Sequence, residues 1–261
     1  MNVLALMGRS KSGKDTVGQM ARAQLGDAGV ATVAFADKLK LLCMDLYGLT
    51  YNDVFTEKGK DRVTDFVCWM CPACSSIECF QDEVKRVVCQ KCSAVGSDVR
   101  AFESRWTVRM ILQHMGTEGC RRIDPNVWVR FAMQTAEAVL TGHAYVTPIA
   151  LDDGTTYNLT TTYPHAPESV RCGAKLVVIT DCRFRSEMDG IQAAGGSVWR
   201  LRRPDTDRQA QGIPSHASEN EMDTIPDTKF QRIVRNDSTL EALRERVREG
   251  LDALMAASPM P

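Results

Sequence analysis

The segment of residues 8–16, GRSKSGKDT, constrains the fold of this chain more than any other feature. It fits the pattern GxxxxGK, in which a loop cradles phosphate groups. Gly8 and Gly13 let the backbone curl so that successive N–H groups point into one concavity. The helix that follows adds its positive end. Because an apolar run (2–7) precedes the loop, the pattern predicts a strand, a phosphate-binding loop and a helix in that order.

We expect this loop to hold the phosphates of ATP, with Lys14 reaching the β- and γ-phosphates. A Ser or Thr usually follows that lysine and binds Mg²⁺. Here Asp15 follows it and Thr16 comes next, so the magnesium ligand stays open between these two residues. The predicted ATP-binding residues are Gly8, Arg9, Ser10, Lys11, Ser12, Gly13, Lys14, Asp15 and Thr16.

The rest of the chain alternates between buried strands and amphipathic helices, which indicates an α/β fold with a parallel sheet. Apolar runs predict strands over residues 2–7, 30–35, 175–180, 197–201 and 232–235. Helical periodicity predicts helices over residues 14–25, 37–46, 104–115, 124–142 and 183–194, and from 238 onward. Two β-rich runs flank Asp153-Gly154 and predict a β-hairpin at about 145–163. Residues 50–62 are polar and are expected to be irregular.

Six of the ten cysteines lie in residues 64–97 and interrupt this pattern. Cys71, Cys74, Cys89 and Cys92 form the arrangement CxxC-x14-CxxC, which predicts one tetrahedral Zn²⁺ site that stabilises the segment. Cys68 also lies at CxxC spacing from Cys71, so it can replace Cys74 in the first pair, and Cys79 is a spare candidate. We favour Cys71 and Cys74, because the sequence Cys-Pro-x-Cys makes the tight turn readily.

Composition excludes several classes of protein. The formal net charge is -1, so the chain lacks the basic excess of a dedicated nucleic-acid binder. No run of about 18 apolar residues is present, so we expect no membrane span. The apolar N-terminus is too short for a signal peptide, and cysteines clustered in CxxC pairs are typical of a reduced compartment. The expected location is the cytoplasm.

Four further segments, in this order and spacing, resemble the deoxynucleoside monophosphate (dNMP) kinases of bacteriophages. They are residues 35–40 (FADKLK), residues 112–118 (LQHMGTE) with Arg121 and Trp128 beyond them, residues 180–187 (TDCRFRSE) and residues 216–219 (HASE). The matched stretches are spread over most of the chain and leave out the cysteine insert and residues 145–170. GKDT is itself a spelling that this family uses.

The resemblance implies a P-loop kinase: an α/β fold with a central parallel sheet flanked by helices, an acceptor-binding part and a mobile lid. The implied kinase core comprises residues 1–63 and 98–261, with the lid at about 202–225. The zinc-binding insert of residues 64–97 follows from the cysteine spacing and is not predicted by the resemblance. The implied reaction transfers the γ-phosphoryl group of ATP to a dNMP with Mg²⁺, giving dNDP and ADP for phage DNA synthesis in the host cytoplasm. A homodimer is compatible with this assignment.

Phosphoryl transfer needs positioned groups that neutralise charge, so basic and acidic residues in the matched segments are the candidates for catalysis. Arginines of the lid can close over the transferring group, although they can equally be solvated surface charges. Asp181 follows a buried strand, where a carboxylate near Mg²⁺ is common, and Arg183 can instead hold it in a salt bridge. The predicted catalytic residues are Lys14, Asp181, Arg183, Arg202, Arg203 and Arg208. His216 and Glu219 are further candidates in the lid.

The acceptor is expected to meet the edge of the sheet where parallel strands end. Asp37 can accept a hydrogen bond from its sugar or base, or can cap the next helix. Arg109 can bind its phosphate as a bidentate donor, or can form a surface salt bridge. Trp128 can stack on the base, or can belong to the core. The predicted acceptor-binding residues are Asp37, Lys40, Arg109, Gln113, Glu118, Arg121 and Trp128.

Two other functions fit part of the sequence. One is another small-molecule P-loop kinase, similar to dephospho-coenzyme A kinase, although residues 112–118 argue against it. The other is a zinc-ribbon nucleic-acid-binding P-loop NTPase. The charges of the insert nearly balance, so we do not expect nucleic acid as a partner.

Overall fold

The computed structural model of the protein describes residues 1–9, 11–74, 76–96, 103–204 and 217–257, with only the backbone of 217–220. Its centre is a five-stranded sheet in the order β13-β12-β1-β11-β2, and every neighbouring pair in it is parallel. The strands are β1 (Val3–Met7), β2 (Val30–Val33), β11 (Leu176–Cys182), β12 (Ser197–Arg202) and β13 (Arg232–Arg235). The predicted α/β fold with a central parallel sheet is confirmed.

The central strand β1 is buried along its whole length, because helices cover both faces of the sheet. Val3 and Ala5 pack in a cluster with α6 (Val127–Leu140) and α7 (Arg185–Ala193). Leu4 and Leu6 point to the other face, where α1 (Lys14–Leu25) and α9 (Leu240–Ala257) cover them. The alternation follows from the two-residue period of a strand. It explains why residues 2–7 are almost uniformly apolar.

The helix α2 (Phe35–Tyr47) begins two residues before the expected position. Its first N–H groups, those of Phe35 and Ala36, donate to the carboxylate of Asp181 at the end of β11. The residue before the helix, Ala34, is extended and offers no side-chain cap. A carboxylate distant in sequence therefore determines where this helix starts, which local patterns do not reveal.

Residues 50–62 are not irregular, and this expectation was wrong. They form two short helices, α3 (Tyr51–Phe55) and α4 (Glu57–Lys60). Thr50 and Asp53 make a capping box at the first helix, and the Thr56 side chain accepts from the N–H of Gly59 at the second. The pattern Thr-x-x-Asp was the available signal, because side-chain caps can stabilise even one helical turn.

The helix expected at 104–115 starts later. Residues Glu103–Thr107 form β7, which pairs antiparallel with β3 (Val63–Trp69). Thr107 then caps α5 (Val108–His114), and the chain continues as a π-helical turn over Met115–Arg121. Such turns are rare and occur often at functional sites.

The predicted hairpin is present as β8 (Ala144–Ala150) and β9 (Thr156–Thr161), and β10 (Val170–Cys172) extends it to three antiparallel strands. The hydroxyl of Thr160 donates to the backbone oxygen of Thr32 over 3.0 Å. The hairpin therefore contacts β2, the edge strand of the central sheet, and protects its open edge.

The cysteine-rich segment extends from the two-stranded ribbon of β3 and β7. It contains its own small antiparallel sheet of β4 (Cys79–Gln81), β5 (Val87–Cys89) and β6 (Val95–Gly96). Its buried residues are only Cys71, Val87 and Cys89 among those described. So small an apolar core cannot account for an ordered segment by itself.

The predicted lid at about 202–225 overlaps residues 205–216, which lie outside the described residues. After this gap, α8 (Ala217–Thr224) leads to β13. Within the described ranges, no helix combines the length and the apolar character needed to cross a bilayer.

Candidate functional site

The glycine-rich loop leaves the carboxyl end of β1 and curls around the side chain of Lys14. Two residues, Lys11 at φ 60° and Gly13 at φ 104°, adopt the left-handed conformation that such a curl requires. The Lys14 ammonium donates to the backbone oxygens of Gly8 and Arg9, both at 2.8 Å. The positive charge is therefore held at the concavity of the loop, next to the start of α1.

The loop is held from outside by two residues distant in sequence. Asn236, which follows β13, donates from Nδ2 to the backbone oxygen of Ser12 at 3.0 Å. Arg203, after β12, donates to the backbone oxygen of Lys11 at 3.2 Å. The hydroxyl of Ser12 is buried and has no hydrogen-bond partner within the described part of the chain. Asn236 was not predicted as a site residue from the sequence, because a single asparagine after a strand is a common turn residue.

A cleft opens beside the loop at the first turn of α1. Asp15 on its wall is exposed and Thr16 is partly buried, so both predicted magnesium ligands can be reached from solvent. The cleft is lined by Lys11, Gly13, Lys14, Asp15, Thr16, Arg203, Asn236, Leu240 and Leu243.

Arg9 of the loop forms an ion pair with Asp223 on α8. Arg200, itself buried on β12, contacts the residues that follow this helix: it donates to the backbone oxygen of Ile225 at 2.8 Å and to Asp227 at 3.0 Å. Arg202 also pairs with Asp227, at 2.8 Å. Residues 223–227 are thus held to the sheet and to the loop by arginines. The predicted residues Ser10, Arg208 and His216 lie outside the described residues, as does the side chain of Glu219.

Asp181 is the penultimate residue of β11, at the same edge of the sheet as the loop. Burial, together with the nearby carboxylates of Glu187 and Asp37, raises the pKa of Asp181 to about 6, although the N–H groups of α2 oppose that rise. Arg183 is exposed and makes no salt bridge to Asp181 in the described structure. The proximity of several carboxylates makes this edge of the sheet attractive to a cation.

Asp37 lies in the first turn of α2 and is only 6% exposed. The hydroxyl of Tyr157, on β9, approaches both of its carboxylate oxygens, at 2.7 and 2.8 Å. Lys40 donates to Oδ1 at 3.2 Å, and its ammonium lies 4.3 Å from the centre of the Phe55 ring. The sequence identified Asp37 and Lys40 but not Tyr157, because nothing local in the hairpin shows which residue it presents to α2.

The pKa of the Tyr157 hydroxyl reflects the acidic groups that surround it. Burial raises its pKa, and the negative charges of Asp37, Asp181 and Asp15 raise it further. These carboxylates come from α2, from the end of β11 and from the first turn of α1. These carboxylates therefore converge at the end of the sheet that also carries the glycine-rich loop.

The other predicted acceptor residues have structural partners. Arg109 binds Asp61 and Glu57, at 2.9 Å each, on the surface. Arg121 forms a 2.5 Å ion pair with Glu187, which is buried and also accepts from the N–H groups of residues 183 and 184. Any role of either arginine in acceptor binding stays a prediction.

Trp128 is 4% exposed and packs in the core, where its indole N–H donates to the backbone oxygen of Gly116 at 3.1 Å. This contact holds the π-helical turn against α6. Gln113 and Glu118 are exposed to solvent. Stacking of Trp128 on a base stays a prediction as well.

The four predicted zinc ligands come together in the insert. The sulfur atoms of Cys71, Cys74, Cys89 and Cys92 all lie within 4.8 Å of one another. Two sulfur–sulfur distances are 3.5 and 3.6 Å. Tetrahedral thiolates at a Zn–S distance of about 2.3 Å would be separated by about 3.8 Å, so the arrangement fits zinc.

Cys68 and Cys79 do not belong to this cluster of four. Cys79 lies in β4, opposite Cys89, and its sulfur contacts the backbone oxygen of Ser76 at 3.5 Å. Desolvation raises the pKa of Cys79 to about 11. Burial has the same effect on Cys89, but N–H groups of Cys92 and Lys91 and the thiol of Cys74 outweigh it and lower its pKa to about 6. Donors that stabilise a thiolate also favour a bound cation.

No family model matches the chain, and no curated protein matches it. Among solved structures, the chain is similar to the dephospho-CoA kinase from Campylobacter jejuni, with 12% sequence identity, a TM-score of 0.38 and coverage of 98% of each chain. A similarity of this size does not identify the function.

Proposed function

We propose that this protein transfers the γ-phosphoryl group of ATP to a deoxynucleoside monophosphate, with Mg²⁺, and that its insert holds a structural Zn²⁺. The observation that carries the proposal is the position of Lys14. Its ammonium lies in the concavity of a phosphate-binding loop, held by backbone oxygens at 2.8 Å, at the same sheet edge as a group of carboxylates.

The loop side of the crevice suits the donor. Phosphate oxygens can take the place of the backbone oxygens around Lys14, and the loop N–H groups and the start of α1 add further positive potential. The buried Ser12 hydroxyl, which has no partner in the described structure, can donate to the same phosphates. Mg²⁺ would be held by Asp15 or Thr16 and would neutralise charge on the phosphates.

The opposite side suits a small acceptor. The Lys40 ammonium, which pairs with Asp37, offers a donor beside the aromatic rings of Phe55 and Tyr157. Such a surface fits a sugar or a base better than it fits a protein chain. The choice of a deoxynucleotide rests on the resemblance of residues 35–40, 112–118 and 180–187 to phage dNMP kinases.

Zinc in the cysteine cluster would stabilise the insert. The insert has three buried apolar residues in its described part, and a metal can supply the free energy that so small a core lacks. We assign the ion a structural role, since four thiolates leave no open position for a substrate.

The test is to incubate the purified protein with ATP, Mg²⁺ and each dNMP in turn, and to quantify ADP and dNDP. Dephospho-coenzyme A is included as a further acceptor. We expect dNDP and ADP in equal amounts with at least one dNMP, abolished by Lys14→Ala and unchanged by the control Lys58→Ala on α4. Phosphorylation of dephospho-coenzyme A alone, or ATP binding without transfer to any acceptor, contradicts the proposal.

A further inference from the structure

The contact between Tyr157 and Asp37 joins an inserted hairpin to the acceptor side of the crevice. Asp37 is buried, and its two carboxylate oxygens lie 2.7 and 2.8 Å from a single phenolic oxygen. Lys40 adds a donor to Oδ1 at 3.2 Å. A carboxylate in a crevice of this kind would otherwise accept a hydrogen bond from a ligand hydroxyl.

Tyr157 is held in place by its neighbours. Its ring lies 4.3 Å from that of Phe55, and the Lys40 ammonium lies 5.2 Å from its centre. Next to Phe55, the Tyr51 hydroxyl lies 2.9 Å from Nδ1 of His165, in the segment that follows β9. The hairpin and α3 thus form an aromatic wall that fixes the phenol against Asp37.

We infer that Tyr157 is a specificity-determining residue, which excludes the 2′-hydroxyl of a ribonucleotide by occupying Asp37. This inference rests on the proposed function, because it concerns the sugar of the proposed acceptor. With the phenolic hydroxyl in place, a 2′-hydroxyl finds no acceptor on Asp37. A deoxyribose has no 2′-hydroxyl to satisfy, so it fits the site as it stands.

The energetic reason is that an unpaired hydroxyl in a buried site is costly. Removing the phenolic oxygen in Tyr157→Phe leaves Asp37 with one partner, Lys40, and opens an acceptor to the crevice. A 2′-hydroxyl can then donate to it. We expect the preference for deoxyribose over ribose to fall about tenfold or more.

The experiment measures binding separately from catalysis. Titration calorimetry of the full chain, without ATP, gives the Kd for a dNMP and for the ribonucleotide with the same base. The variants are Tyr157→Phe and the control Tyr145→Phe, which removes a phenol from β8 of the same hairpin. Tyr145 contacts Arg171 and not Asp37. Thermal unfolding verifies that both variants fold.

We expect the wild type and Tyr145→Phe to bind the dNMP more tightly, and Tyr157→Phe to lose that preference. If Tyr157→Phe folds and keeps the wild-type ratio of the Kd for the ribonucleotide to the Kd for the dNMP, the inference is overturned. A contact with a structural role alone would lower the Tm and leave this ratio unchanged. Equal binding of both sugars by the wild type, or binding of neither, overturns it too. If Tyr157→Phe does not fold, Phe55→Leu, which removes the ring that packs against Tyr157, is measured in its place. An unchanged ratio of the two Kd values in that variant overturns the inference.

A parallel transfer assay separates the two proposals. If the wild type binds dNMPs preferentially but transfers no phosphoryl group, the proposed reaction fails while the assignment of Tyr157 stands on the Kd ratios. If transfer occurs and the ratio does not depend on Tyr157, the reaction stands and the assignment fails.

Discussion

The phosphate loop and the cysteine insert are both encoded by short spaced motifs, but they are built differently. In the insert, four ligand atoms from 22 residues of chain already lie within 4.8 Å of one another. At the phosphate loop, the surrounding groups come from residues as far apart as Ser12 and Asn236, and Asp15, Asp37 and Asp181 lie on three separate elements. The first site is local, and the second is assembled by the central sheet.

The free energy that stabilises each site therefore has a different source. The sheet buries its central strand β1 completely and can place charged groups at its edge without help from a ligand. The insert buries few residues and depends on what its cysteines bind. Loss of the metal should therefore unfold the insert and leave the core intact. A substitution in the core should lower the stability of the core and leave the zinc site intact.

The largest effect is expected in the insert. Cys89→Ser should abolish zinc binding, a loss of about 10 kcal/mol or more of metal-coupled folding energy, and should leave ATP binding intact. Metal analysis, together with hydrogen exchange of residues 71–96, measures both. Cys79→Ser is the matched control, because Cys79 lies outside the cluster. Retention of one zinc per chain in Cys89→Ser would show that the four cysteines are not the ligands.

The next effect concerns the phosphate loop. Lys14→Ala should lower kcat for phosphoryl transfer by a factor of about 10³, equal to about 4 kcal/mol, because a cation at the transferring phosphate is lost. Zinc content should not change. Steady-state kinetics on a variant with wild-type Tm gives the result, and a kcat within threefold of wild type would remove Lys14 from the mechanism.

A smaller effect separates the core from the insert. Arg121→Met leaves the carboxylate of Glu187, which is 3% exposed, without its ion-pair partner. The free energy of unfolding of the core should fall by about 2 to 3 kcal/mol. Denaturant unfolding measures this, with zinc content as the control. If the insert loses its zinc at the same time, the stabilities of the core and the insert are coupled, and the two regions are not independent.

The smallest effect tests how the sheet supports the loop. Asn236→Ala removes the hydrogen bond to the backbone oxygen of Ser12. We expect a loss of about 1 kcal/mol in ATP binding, close to a fivefold rise in Kd, with little change in Tm. Fluorescent nucleotide titration resolves such a shift. An unaltered Kd would mean that the loop keeps its shape without the contact.

Much of the fold followed from the sequence, because buried parallel strands are apolar throughout. All five strands of the central sheet and the hairpin were predicted, and the last strand was predicted to the residue at Arg232–Arg235. The short helices after Thr50 were missed, since their caps matter more than their periodicity. The start of α2 was misplaced because Asp181, 146 residues from Phe35, caps it.

At the site, local sequence patterns were sufficient to predict the residues whose chemistry depends on close spacing, namely the glycine-rich loop with Lys14 and the four cysteines. A turn of a few residues brings such groups together whatever surrounds them. The folded structure was needed to show that Asn236 and Arg203 hold the loop, that Arg121 pairs with Glu187, and that Tyr157 contacts Asp37. These contacts join residues that are neighbours in space alone, because packing of the hairpin, helices and sheet determines which side chains face one another.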